Sequence, residues 1–150
     1  MSRDEDEIRT LIEERSAAIR DKDASRALAT LAADIVAFEL APPLALGPGA
    51  ARDEAGLIAW LSGWEGPIGI EIRDLHVEAG GDTGWSRSLN RLHGRLKGGR
   101  AVDMWMRSTL AFRREEGVWK IAHGHSSVPF LMDGSYRAAL DLTPDGPPPA

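Results

Sequence analysis

Cysteine is absent from the 150 residues, which removes disulfides, thiolate nucleophiles and Cys-ligated zinc together and fits a reducing compartment. Tyrosine occurs once, at Tyr136, and aromatic residues make up 6% of the chain, too few to interleave with basic residues as a base-stacking surface requires. No apolar run approaches the roughly 20 residues that span a bilayer. The opening residues, Ser2-Arg3-Asp4-Glu5-Asp6-Glu7, are acidic where a secretion signal begins with a basic and then an apolar stretch. A cytoplasmic protein with no membrane partner is the expectation. An excess of positive charge is missing too: 18 Lys and Arg against 23 Asp and Glu leave a net charge of −5, which speaks against nucleic acid as a partner.

What is present is an ordinary globular composition, 43% hydrophobic and 27% charged, at a length suited to one core. Residues 1–142 read as a single domain, and 143–150, rich in proline, as a disordered tail. The charge is unevenly spread. Between Trp85 and Arg114 eight basic residues face one acid, Asp103, so this stretch is strongly cationic within an acidic whole.

Ile8, Leu11, Ile12, Arg15 and Ile19 fall on one helical stripe, and Ser2 with Glu5 forms a capping box, so residues 2–20 predict a helix. Asp23 is placed to cap a short second helix over 24–31. Residues 34–40 read as a strand stopped by Pro42-Pro43. Leu57, Trp60, Leu61 and Trp64 recur at helical spacing and predict a third helix over 51–64. From Ile68 onward, alternation and three glycine turns predict four strands in a meander, at 68–79, 83–96, 100–115 and 118–128, and residues 130–142 allow a helical turn. If Gly98-Gly99 is a two-residue hairpin turn, Lys97 pairs with Arg100. Trp105, Arg107 and Thr109 then share a face with Leu92, Asn90 and Ser88; a one-residue bulge would exchange the sets.

This order of elements, together with the run Asp103-x-Trp105-x-Arg107-x-Thr109-x-x-Phe112-Arg113-Arg114-x-x-Gly117-x-Trp119-x-Ile121-x-His123-x-His125-x-Ser127-x-Pro129, resembles the SnoaL-like or ketosteroid-isomerase-homologue branch of the nuclear-transport-factor-like superfamily. It is also similar to the association domain of calmodulin-dependent protein kinases. The resemblance implies an α+β fold, three N-terminal helices packed in the concave face of a strongly bent antiparallel sheet, forming a cone with a pocket. It further implies a homodimer through the outer face of the sheet, a small apolar or carbonyl-containing ligand, and isomerase, cyclase or dehydratase chemistry without a cofactor. The alternative is a non-catalytic homodimeric binding or association module. The single tyrosine does not sit where the isomerase site would need it, so that constellation does not transfer.

Within this frame Asp103, Arg107 and His125 are the catalytic candidates. Asp103 is the one acid of the cationic hairpin, two residues from Trp105 and four from Arg107; it reads either as a base or as a hairpin ion pair. His123 and His125 alternate, so both rings face one side of a strand, suited to proton transfer or to hydrogen bonding. Two histidines are too few for zinc, and no metal is expected. Arg107 and Asn90, facing one another in the assumed register with Thr109 alongside, would hold a carboxylate or enolate oxygen, or else lie on the dimer face. Phe38, Trp60, Trp64 and Trp105 would wall the pocket, and Ser127 continues the histidine face.

Overall fold

The computed structural model describes residues 2–146. α1 (Arg3–Arg20) begins on the expected capping box, with Ser2 Oγ accepting from the Glu5 amide and Glu5 reaching back to the Ser2 amide. α2 (Ala24–Ala29) starts at Asp23, whose carboxylate accepts from the Arg26 amide. β1 (Leu31–Phe38), the short α3 (Pro48–Ala51) and α4 (Glu54–Ser62) follow, then β2 (Trp64–Gly80), β3 (Thr83–Leu96), β4 (Ala101–Glu115) and β5 (Val118–Ser127). The sheet order is β1-β5-β4-β3-β2.

The four-strand meander forms as the alternation predicts. The first strand changes the sheet type: β1 runs parallel to β5, so the sheet is mixed where a wholly antiparallel one was expected. Its partner comes from about 90 residues downstream, and period-two alternation carries no sign of strand direction. The predicted third helix appears as the shorter α4, with α3 an additional turn ahead of it, and Trp64 opens β2 instead of ending a helix. Residues 130–142 form an isolated bridge between Phe130 and Ala138 in place of a helical turn. Residues 143–146 close a small turn through the Thr143 and Gly146 backbones, while 147–150, the rest of the expected disordered tail, lie outside the described residues.

The β3–β4 hairpin corrects the predicted register. Leu96 pairs with Arg100, which leaves Lys97, Gly98 and Gly99 as a three-residue loop in place of two. Gly98 and Gly99 both take positive φ, +99° and +95°, which side chains with a Cβ rarely adopt. The extra residue exchanges the sets across the hairpin: Asp103 faces His93, Trp105 faces Arg91, Arg107 faces Leu89, and Asn90 faces Met106. Arg107 and Asn90 therefore lie on opposite faces of the sheet. Replacing Gly98 or Gly99 by alanine should cost about 1 kcal/mol each through the strained dihedral. Urea unfolding checks this; a cost near zero at both sites would mean the loop does not hold these angles.

The buried side chains form two clusters between the helices and the sheet. Ile8 and Ile12 of α1 meet Leu31, Ile35, Val77, Phe112, Trp119 and Ile121 at one end. Ala18 and Ile19 meet Ala24, Ala27, Leu61, Trp64 and Ile68 at the other. α1 lies along β2, with Arg9 and Arg20 donating to the Leu75 and Ile70 carbonyls. The helix backbones come closest to β1, β2 and β5, while side chains of α1 reach β3 and β4, Ile8 and Ile12 meeting Phe112. Among the described residues no helix is long and apolar enough to cross a membrane.

Candidate functional site

The register divides the expected site residues between two faces. Phe112 and Leu110 belong to the helix-facing core, so alternation puts Met104, Met106 and Ser108 on the same inner face, with Ser86, Ser88, Asn90 and Leu92 across from them. Asp103, Trp105, Arg107 and Thr109 take the outer face. His123 and His125 pair with Ala111 and Thr109 and Ser127 with Arg107, so they share it, and Phe38, opposite His125, completes it. Of the predicted ligand contacts, Asn90 is on the inner face and Trp64 is in the helix-facing core, 3% exposed. Trp60, on α4, is 45% exposed, and its ring meets the edge of Trp64 at 5.6 Å.

On the outer face Asp103 is fully engaged. Arg91 Nε and Nη2 donate to its two oxygens at 2.9 and 2.8 Å, a bidentate pair, and Glu71 stands 3.6 Å from the same guanidinium. The Arg91 guanidinium holds the Asp103 carboxyl below its ordinary range, which weakens it as a base. Arg107 Nε donates to Ser127 Oγ at 3.1 Å. His123 Nδ1 lies 2.6 Å from the Val36 carbonyl, so the ring donates there and its neutral form keeps Nε2 as an acceptor. The Phe38 ring sits edge-on to both His123 and His125, at 4.7 and 5.4 Å. Among the described residues no three histidines or acids gather closely enough to hold a metal ion.

The C-terminal segment crosses one end of this face. Arg73 donates to Asp145 at 3.3 and 3.4 Å and lies 6.0 Å over the Trp105 ring. A cleft of about 380 Å³ forms there, between Arg91, Asp103 and Trp105 on the sheet and residues 140–145 above them. The cationic stretch finds much of its counter-charge inside the same chain. Arg113 pairs with Asp34 and Glu115; Arg114 pairs with Asp4 at 2.6 Å and with Asp82 at 3.0 Å and lies 5.0 Å over Trp119.

The inner face is different. Met104 and Met106 are half-buried and belong to neither apolar cluster. Between them and β2 runs a polar strip in which Ser88 Oγ donates to Asn90 Oδ1 at 2.7 Å. Two residues that the sequence reading did not select meet this side. Arg15 stands on the apolar stripe of α1 between the clusters, and Glu39, directly after β1, is the acid whose charge acts on it. Burial pushes the Arg15 guanidinium pKa down, with Glu39 opposing. The available signal was a cation inside an otherwise apolar stripe.

This architecture recurs among solved structures. An NTF2-like protein from Pseudomonas putida KT2440 is 35% identical, with 93% of this chain and 96% of that one covered and a TM-score of 0.81. A ketosteroid isomerase-like protein from Erwinia carotovora atroseptica shares the fold at 18% identity, 85% and 97% coverage and a TM-score of 0.69. A candidate calcium/calmodulin-dependent protein kinase II association domain from Xanthomonas campestris does so at 19% identity, 81% and 84% coverage and a TM-score of 0.68. No curated protein matches the chain. The SnoaL-like domain family matches residues 8–131, most of the chain and all five strands, and the chain belongs to that family.

Proposed function

We propose that the chain binds a small, largely apolar or carbonyl-containing molecule between its helices and the inner face of β3 and β4, the pocket of a cone. The single observation that carries this reading is the half-buried pair Met104 and Met106, which stand on the helix-facing side of the sheet yet join neither apolar cluster. Protein interiors are close-packed, so apolar side chains left half-covered in such a place mark room for an occupant. The likeness to a ketosteroid isomerase-like protein supports a compact hydrophobic ligand. Acid–base chemistry on that ligand would need a carboxylate on the inner side. Asp103 and His125 do not supply it, because they lie across the sheet.

The test uses a neutral aromatic ketone, acetophenone, and methionine-methyl NMR. Met104 and Met106 resonances should shift on titration, while Met132, 83% exposed, should not. Asp103→Asn and His125→Asn should leave those shifts unchanged. Shifts abolished by either variant, or confined to the outer face, would overturn the inner-face reading.

A second reading concerns the outer face. Val36, Phe38 and Trp85 are 39%, 37% and 39% exposed there, beside residues of both charges. We propose that this face meets a second copy of the chain. A two-fold contact brings each patch against itself, and a face carrying arginines with acids suits that.

A further inference from the structure

Arg15 is the charged residue that the fold treats least like its neighbours. Arg3, Arg9 and Arg20 of the same helix all find acceptors: Glu7, the Leu75 carbonyl, and Glu13 with the Ile70 carbonyl. Among the described residues Arg15 has no hydrogen bond and no ion pair; its one recorded influence is the charge of Glu39, outside contact distance. It nonetheless faces inward, three residues beyond Ile12 of one cluster and four before Ile19 of the other. A half-buried guanidinium with no acceptor from the protein is costly to keep charged, and an anion that reached it would lower that cost.

A second donor is available on the same side. Ser88 occupies Asn90 Oδ1, and among the described residues the Asn90 NH₂ group has no acceptor, although its strand faces the helices. Neither this amide nor the Arg15 nitrogens are fully sealed from solvent by protein atoms. Beside Asn90 on the same inner face stand Met106 and Met104, soft side chains that accommodate varied shapes.

We propose that Arg15, aided by the Asn90 amide, holds the carboxylate or enolate oxygens of an organic acid whose apolar body lies on Met104 and Met106. This rests on the inner-face binding reading above and narrows its ligand to an anion. Glu39, exposed directly after β1, acts on Arg15 through its charge, and the same negative charge limits how tightly an acid is held.

Benzoate and acetophenone differ little in shape and differ in charge, so the pair separates the two readings. Benzoate should bind about tenfold or more tightly than acetophenone, followed by the Met104 and Met106 methyls and by the Arg15 Nε–H resonance. Arg15→Met should remove that preference by weakening benzoate far more than acetophenone, and without ligand it should melt no lower than the parent, because it deletes an unpaired cation. Arg15→Gln provides the same comparison if the methionine variant folds poorly. Glu39→Gln should tighten benzoate a few-fold and leave acetophenone alone. Equal affinity for the two probes, or a benzoate preference that survives both Arg15 variants, overturns the anion assignment and leaves the binding site standing. Failure of both probes to move the Met104 and Met106 methyls at millimolar concentration overturns the site and the assignment together.

Discussion

Phe112→Ala is expected to lower the unfolding free energy by about 3–5 kcal/mol, a large share of the roughly 5–15 kcal/mol that holds a domain of this size together. Phe112 is 2% exposed and sits where β4 slips register against β5, between Ala111 and Phe112. Its ring belongs to the cluster that joins α1, through Ile8 and Ile12, to Trp119 and Ile121 of β5. The backbone around it is already close-fitting: a Cβ at Gly84, its partner on β3, would lie 2.8 Å from the Ile8 Cδ1 atom. Neighbours so confined cannot collapse into the space a lost ring leaves, which places the expected cost toward the cavity-forming end. Leu44→Ala, at a residue 97% exposed, should change stability by under about 0.5 kcal/mol and serves as the control. Urea unfolding at constant m-value measures both. A loss below about 1 kcal/mol at Phe112 would show that this cluster does not tie the helix to the sheet.

How much of this was legible beforehand differs by element. α1 was written plainly, because its cap and stripe are local signals, and Ser2, Glu5, Ile8 and Ile12 perform as their spacing implies. The meander was legible for the same reason: glycine turns and alternation are read within a few residues. What failed was what depends on a count of one. Whether Gly98-Gly99 forms a two- or a three-residue loop is decided by backbone dihedrals that two adjacent glycines leave open, and that single residue moved Asn90 to the opposite face from Arg107. Asp103, Arg107 and Thr109 share a face in either register; their side of the sheet was decided by Leu110 and Phe112, which enter the helix-facing core and leave the alternate residues outward. The parallel pairing of β1 with β5 was hidden because it joins segments far apart in the chain. Arg15 was visible on its stripe, yet a charge among apolar positions is meaningful only once both neighbouring clusters are seen to close without it.

Thr109→Arg is expected to weaken self-association by about 100-fold or more while leaving the fold intact. β4 is the middle strand of five, and Thr109 lies near its midpoint, exposed on the outer face between Arg87 and His125. The chain's own C-terminal segment covers the end of this face at Asp103 and Trp105, so a second copy has the half that carries Phe38, Thr109, Arg87 and Trp85 to meet. In the proposed dimer a two-fold axis through that half would set each Thr109 close to its counterpart, and every charge introduced there would appear twice. An arginine at this position would stand beside Arg87 and Arg107 in its own subunit and face the same three residues across the axis. Like charges brought together in a desolvated contact cost several kcal/mol, whereas on the isolated chain the same side chain simply extends into water. Sedimentation velocity over a concentration series reads the difference, with circular dichroism confirming that the variant keeps its strands. A parent protein that stays monomeric at micromolar concentration, or a variant that associates as tightly as the parent, would remove the outer face as the meeting surface.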